Sequence, residues 1–473
     1  MRVLHAIHDF LPRHLAGSEI YCLRLCQALQ ERGIATHVLC AEYDPARPHL
    51  ALDWRAVEGV GVTEMINNWA FGSFAESYAS PALDRRLAQV LDIVQPDVLH
   101  VHNLLNLSFR LPALARARGI PTVATLHDYT LVCPSGGQRV HVAEQHLCRT
   151  IDTARCARCY AHHPLYAQQV FGGRALARPA GRRLGKLATN VRRRFPALAT
   201  RLGSAVVSAA PAPLSAADLD ERLAAARNVF QDVDLFVSPS PTLADEYRRL
   251  GIPAERLLVS DNGFPPLAST SAADAVRAQR ARPAPGPLRI GFVGTLVWHK
   301  GPHVLLAAAA QLPPGSFEIT IHGDTDTFPP YSAELRRAAQ GLPVRFAGRF
   351  APEEAAAIFA GFDVLVVPSL WLENSPLVIH EAFQAGVPVV GSRLGGTADL
   401  VAHGTSGLLY DAYDASALAA ALRRLTDEPA LLTHLAANVP AVKSLEADAA
   451  DWQERYEHVL SRGWDRATAV TSA

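Results

Sequence analysis

An excess charge of either sign is missing from this chain: 45 Lys and Arg stand against 45 Asp and Glu, and the isoelectric point is near 7.3. That balance gives no global drive towards nucleic acid. Apolar runs long enough to span a membrane are missing too, and so are the internal repeats that mark solenoids and propellers. The stretch from Met1 to Asp9 is short, apolar and broken by charge, so it reads as a first strand rather than an export signal. Seven cysteines is an odd number, and without an export signal reduced thiols and a cytoplasmic location are expected. Apolar residues are plentiful, at 49% of 473, which is enough for large cores. The length calls for two domains.

Strands are expected at Val3 to Ile7, His37 to Cys40, Val98 to Val101 and Pro121 to Thr125. A helix capped by Ser18 lies between the first two, and another from Pro112 to Arg118 lies between the last two. The alternation breaks at about 133–228 and resumes at Asp234 to Ser238, with a helix from Thr242 and a strand at Arg256 to Val259. Residues 266–287, rich in Pro, Ala, Ser and Arg, read as a linker between a first domain (1–265) and a second (288–442). The second has strands at Leu288 to Val293, Phe317 to Ile321, Val344 to Phe346, Val364 to Val367 and Pro388 to Val390. Strands alternating with helices predict two parallel α/β sheets. A last helix in 443–473, with Trp452, Tyr456 and Leu460 at helical spacing, is expected to pack back towards the first domain.

The segment Glu373-Asn-Ser-Pro-Leu-Val-Ile-His-Glu381 carries the most chemistry. Two carboxylates stand with seven residues between them, just after a buried strand and before the turn Gly395-Gly396. Ser375 and Pro376 read as helix N-cap and first helical residue, which puts Glu373 in the loop and Glu381 on the helix. A helix start offers free N–H groups to a diphosphate. Carboxylates beside it can accept hydrogen bonds from sugar hydroxyls.

With Phe292 to Gly301, Val367-Pro-Ser369, Glu381 to Val390, Gly17-Ser-Glu19, Asp97 to His102, Thr125-Leu-His-Asp128, Val237-Ser238 and Asn262-Gly263, this segment resembles the retaining glycosyltransferases of family four. The resemblance spans most of the chain except 140–225. It implies a GT-B fold, two Rossmann-like domains facing a cleft. It also implies a nucleotide-sugar donor bound mainly by the second domain, an acceptor on the first, retention of anomeric configuration, and no cofactor required for catalysis.

By that resemblance Glu381 accepts from ribose hydroxyls, Glu373 contacts the donor sugar, and Lys300 neutralises the diphosphate. His127 has a catalytic or donor-orienting role, and His102 lines the acceptor side. Gly17, Gly294, Thr295, Asn374, Leu377, Val378, Gly395 and Gly396 complete the donor set. Thr295 departs from the family, which commonly has a basic residue there. No residue is nominated as a covalent nucleophile, so attack from the leaving-group face is favoured. Two other readings remain: a synthase acting on a small phosphorylated or hydroxylated acceptor, and a glycan-binding scaffold without turnover.

Cys133, Cys148, Cys156 and Cys159 fall within 27 residues and end in a Cys-x-x-Cys. Spacing alone fits a structural zinc and four unligated thiols equally. Cys22, Cys26 and Cys40 read as core residues. From Thr153 to Ala217 there are 11 Arg or Lys and no Asp or Glu. Within this, 174–201 fits a basic amphipathic contact with an anionic membrane surface, and equally a solvated basic loop. The first reading suits a protein peripheral to the inner face of a membrane, a lipid-linked acceptor and cell-envelope polysaccharide synthesis. No recognition motif accompanies the charge, so nucleic acid is not an expected partner.

Overall fold

The computed structural model describes residues 1–141, 143–163, 166, 214–267 and 286–462. The basic segment 174–201 and nearly all of the linker lie outside them. The chain divides into two compact units. The first holds Met1–Pro239, Ala244–Ser260 and the stretch from Leu445; the second holds Ser240–Leu243 and Asp261–Ser444.

The first unit begins with β1 (Arg2–Ile7), α1 (Gly17–Glu31), β2 (Ala35–Glu42), β3 (Leu52–Val57) and β4 (Val60–Ile66). Next come α2 (Pro81–Val94), β5 (Val98–Val101), α3 (Leu111–Arg116), β6 (Thr122–Thr125), the hairpin β7 (Val140–His141) and β8 (His146–Leu147), and α4 (Thr153–Ala161). Then follow α5 (Ala216–Asp232), β9 (Leu235–Ser238), α6 (Pro241–Leu250) and β10 (Leu257–Val259). The main sheet has the order β10-β9-β6-β5-β1-β2-β4-β3. Its pairs are parallel except β3 with β4. The central strands are buried along nearly their whole length, as continuous apolar runs between helical layers must be.

The second unit contains β11 (Leu288–Val293), α7 (Pro302–Ala309), β12 (Phe317–His322), α8 (Pro329–Ala338), β13 (Val344–Gly348), α9 (Ala355–Ala360) and β14 (Val364–Val367). After these come α10 (Leu377–Gln384), β15 (Val389–Ser392), α11 (Gly395–Leu400), β16 (Gly407–Tyr410), α12 (Ala415–Asp427) and α13 (Pro429–Ala437). The sheet order is β13-β12-β11-β14-β15-β16, and every pair is parallel.

The last helix, α14 (Leu445–Arg462), belongs to the first unit. Ala449, Trp452, Tyr456 and Val459 recur every three or four residues and pack with Val3, Leu25, Val98, Val123 and Leu235. Val459 takes the buried position; Leu460, expected there, is exposed.

Several expected boundaries move. Ala16, not Ser18, precedes α1 as its N-cap. Helix α6 begins at Pro241 rather than Thr242. Pro376 is the N-cap of α10, so Glu381 sits one turn after the first helical residue, Leu377, and nearer the helix start than expected. Ser375 is held elsewhere: its Oγ donates to Asp261 Oδ1 at 2.8 Å and lies 2.8 Å from His380 Nε2. Gly395 and Gly396 open α11 rather than preceding it.

Candidate active site

In the second unit the residues expected to bind a donor gather at the carboxyl ends of β11 and β14. Lys300 closes a single 3-10 turn, and Gly301 follows in the left-handed region with φ 71°. A Cβ on Gly301 would lie 1.9 Å from Pro368 O, so only glycine lets this turn rest against the loop after β14. The packing is locked by Leu370 N–H donating to His299 O at 2.7 Å. It brings Lys300 Nζ to 2.7 Å from Glu373 Oε1, which also accepts from Ser369 Oγ at 2.7 Å. Glu373 is only 4% exposed, so a charged partner there matters more than on the surface. Lys300 Nζ also sits 5.3 Å from the centre of the Trp371 ring. Burial pushes the neighbouring His299 down to about 4, so it is neutral near pH 7.

Glu381 has a different environment. Its carboxyl is half-buried, and among the described residues it has no hydrogen-bond or ion-pair partner. Burial raises its pKa to about 7. It projects from the first turns of α10, where the backbone N–H groups of Leu377 and Val378 cannot be satisfied within the helix. The half-buried Val378 side chain packs against the core below.

Gly395 and Gly396 are explained by the loop they touch. A Cβ on Gly396 would fall 1.7 Å from Asn374 O, and one on Gly395 would fall 2.7 Å from Glu373 O. Gly396 N–H donates to Glu373 O at 2.6 Å. The pair therefore clamps the Glu373–Asn374 backbone from the side of α11. Asn374 is buried. Gly294 ends β11 at φ 156° and donates to His322 O at 3.0 Å, while Thr295 is exposed.

In the first unit, histidines line the strand ends. His127 follows β6, and its Nε2 lies 2.9 Å from His102 Nδ1. His102 Nε2 lies 3.1 Å from His5 Nδ1. His5 pairs with His100 in the parallel register of β1 and β5. His100 is held by Tyr456 Oη at 2.6 Å and Thr125 Oγ1 at 2.8 Å, and its ring lies 4.1 Å from that of Trp452. Burial lowers His100 and His102 well below the ordinary histidine value and takes His127 to about 3. His100, His102 and His127 are therefore neutral near pH 7, and each proton they share sits on one nitrogen or the other. If His127 donates through Nε2, His102 must accept at Nδ1 and donate from Nε2 to His5. His102 thus fixes which His127 nitrogen carries a proton.

Asp128 accepts from Thr130 N–H at 2.7 Å and from Asn103 Nδ2 at 2.9 Å, and burial raises its pKa. Gly17 opens α1 without a left-handed φ.

His127 and His102 were expected from the sequence, whereas His5, the contact of Ser369 with Glu373 and the support beneath the row were not. In that support Trp452 Nε1 donates to Tyr21 Oη at 3.1 Å, and Tyr21 Oη donates to Asp448 Oδ2 at 2.7 Å. The available signal was histidine at matching positions of two neighbouring strands. The partners on α14 come from more than 300 residues away in the sequence and left no local signal.

Cys133, Cys148, Cys156 and Cys159 all line one cavity in the first unit and are unpaired. Cys22, Cys26 and Cys40 are buried in the core.

A model described as "Glycosyl transferases group 1" matches residues 287–428, and one described as "Glycosyltransferase Family 4" matches residues 15–170. The D-inositol 3-phosphate glycosyltransferase of Corynebacterium urealyticum is 40% identical over 153 residues, 29% of this chain and 35% of that protein. The chain spans about half or less of the length of the curated relatives it matches. Among solved structures, sucrose-phosphate synthase from Thermosynechococcus elongatus superposes with a TM-score of 0.64 at 20% identity, over 97% of this chain and 99% of that one. HepE of Anabaena in complex with UDP gives 0.61 at 18%, over 98% and 100%. These structural likenesses are likenesses of fold. Matched in both halves, the chain belongs to glycosyltransferase family four, the glycosyl transferases of group 1, and has the GT-B fold.

Proposed function

We propose that the chain transfers a sugar from a nucleoside diphosphate donor to a hydroxyl of an acceptor glycan or lipid-linked saccharide, with retention of configuration. The observation that carries this reading is Glu381. A half-buried carboxyl without a partner among the described residues, beside a helix start, suits two ribose hydroxyls as donors. Those hydroxyls favour the ionised form, so donor binding lowers the Glu381 pKa from about 7 and takes a proton off it near neutrality.

The α10 N-terminus and Lys300 hold the diphosphate. As the bond from the anomeric carbon to the diphosphate oxygen breaks, negative charge grows there and Lys300 stabilises it. Glu373, fixed by Lys300 and Ser369, accepts from a hydroxyl of the sugar. The acceptor oxygen attacks from the departing face, and its proton passes to the diphosphate oxygen. Neutral His127 orients a hydroxyl without adding charge. Neither step calls for a cofactor.

The relative's name and the likeness to a sucrose-phosphate synthase favour a second reading, a synthase acting on a small phosphorylated acceptor. For the first reading, the basic segment 174–201 supports a protein at the inner, cytoplasmic face of a membrane in cell-envelope polysaccharide assembly. No helix among the described residues is long and apolar enough to cross a membrane. Removing 174–201 should abolish binding to anionic vesicles; unchanged binding contradicts the membrane assignment.

The test of transfer is a panel of nucleotide sugars with lipid-linked, oligosaccharide and small phosphorylated acceptors, read by nucleotide release and by the anomeric coupling of the product. Retained configuration with one donor is expected. Inversion, or an isolable glycosyl-enzyme adduct, contradicts the mechanism. Nucleotide binding without turnover on any acceptor would favour the scaffold.

A further inference from the structure

We propose that Cys133, Cys148, Cys156 and Cys159 bind one zinc ion as a tetrathiolate site that staples the 133–161 segment to the loop carrying His127. Cys133 sits in the turn after β6, where its N–H donates to Tyr129 O at 2.7 Å. Cys148 directly follows β8, and its N–H donates to Arg139 O at 2.8 Å. Cys156 and Cys159 lie one turn apart on α4 and so share a face. Three separate pieces of chain thus bring four of the seven thiols to the wall of one cavity.

Arg139 is a second, independent observation. It lines the same cavity and is 3% exposed. Its Nη1 pairs with Glu246, but Nε and Nη2 are buried and have no hydrogen-bond partner among the described residues. Buried guanidinium N–H groups call for an acceptor. Zinc with four thiolates carries two net negative charges, and its sulfurs accept N–H bonds, so the ion supplies what Arg139 lacks.

The segment also needs a staple. Each strand of the β7–β8 hairpin has two residues, and the apolar side chains the described part of this segment buries are Val140, Leu147, Ala157 and Tyr160. So little apolar burial seldom orders a substructure without a metal or a cross-link.

The four sulfurs are not among the compact ligand groups of the described residues. Those groups are His5 with Cys22 and Cys26, and His5 with His100 and His102. The cysteines therefore surround a space rather than converge on a point, and binding draws them in to sulfur–zinc distances of about 2.3 Å while four thiol protons leave. The compact groups are poorer rivals. Both ring nitrogens of His100 and of His102 already hold hydrogen-bond contacts, and the His5–Cys22–Cys26 group offers three ligands in an apolar core.

Closure has a consequence beyond the segment. Tyr129 N–H donates to Gly137 O at 2.9 Å, and Arg139 lies 5.4 Å from the centre of the Tyr129 ring. Fixing 133–148 thus fixes the stretch just after His127 and Asp128.

The test uses the full chain, purified from zinc-supplemented culture in fresh reducing buffer, with metal measured by mass spectrometry and thiols by titration. One zinc per chain is expected, with four thiols unreactive until a mercurial releases the metal. Cys156→Ser with Cys159→Ser should lose the zinc, and Cys22→Ser should keep it. Should the double variant fail to fold, cobalt substitution of the wild type decides. Intense visible bands of tetrahedral cobalt with sulfur-to-metal charge transfer are expected. Traces of zinc only, zinc lost in Cys22→Ser, a Cys156–Cys159 disulfide, or cobalt bands of octahedral type would each overturn the proposal.

Discussion

The two units present opposite kinds of polar chemistry at their strand ends. In the second, charge is concentrated: Lys300 holds Glu373 at 2.7 Å, and Glu381 stands without a partner among the described residues. In the first, charge is removed: His5, His100, His102 and His127 form a row in which burial keeps His100, His102 and His127 neutral. A site meant to hold a diphosphate needs fixed positive charge and free N–H groups. A site meant to orient a hydroxyl needs a determined proton position and no competing charge. The contrast teaches that the same doubly wound architecture is tuned by what packs under the strand ends, a salt-bridged loop in one unit and an aromatic helix in the other.

The largest expected effect lies on the charged side. Lys300→Ala removes the cation proposed to stabilise the leaving group and should lower kcat by about 10²–10³-fold. A loss under threefold would remove Lys300 from the phosphate role. Gly396→Ala comes next, because its Cβ meets Asn374 O at 1.7 Å. We expect a destabilisation of about 3 kcal/mol in urea unfolding together with weakened nucleotide binding. Unchanged stability would mean that the loop clamp is not rigid.

On the neutral side the expected effect is in pH dependence. His127 is at about 3 in the folded chain, against about 6.5 unfolded. The unfolded chain therefore binds the proton first as pH falls. Stability is full above about pH 6.5 and is lost towards pH 3, by about 1.4 kcal/mol per pH unit for each such histidine. His102→Asn should lessen that slope by about one proton and shift the pH profile of kcat through His127, while KM for the donor stays within about twofold. An unaltered profile would reduce His102 to packing. The smallest effect is expected from Thr295→Arg, which restores a cation at an exposed position and should tighten nucleotide binding by about 0.5 kcal/mol. Calorimetry showing weaker binding would place Thr295 away from the phosphates.

The grouping of residues in the second unit was legible in the sequence because its parts are local. Glu373, Glu381 and the α10 start come from one short segment, and Lys300 from one turn. The two glycines were legible as a motif, although their contact with Glu373 and Asn374 required the packing of α11 to be known. The histidine row was only half legible. His102 and His127 stand at strand ends, but His5 joins them through the β1–β5 register, and Tyr456 arrives on the last helix. The β3–β4 hairpin escaped because its turn, Glu58-Gly59, has a positive φ at a residue that seldom signals one. Ser375 misled because a serine before a proline so often caps a helix; here Asp261 and His380 claim its hydroxyl. The four cysteines were legible as a cluster, whereas Arg139 was not, since an orphaned guanidinium is visible only once burial is known.

The most direct measurement is nucleotide binding by calorimetry with UDP, GDP and ADP, on wild type and Glu381→Gln, from pH 6 to 8. One nucleotide is expected to bind the wild type. Its affinity should fall as pH drops through about 7, and the variant should bind about tenfold more weakly with a flat pH profile. Equal affinity and equal pH dependence in the two proteins would contradict the assignment of Glu381 to the ribose, and with it the donor site.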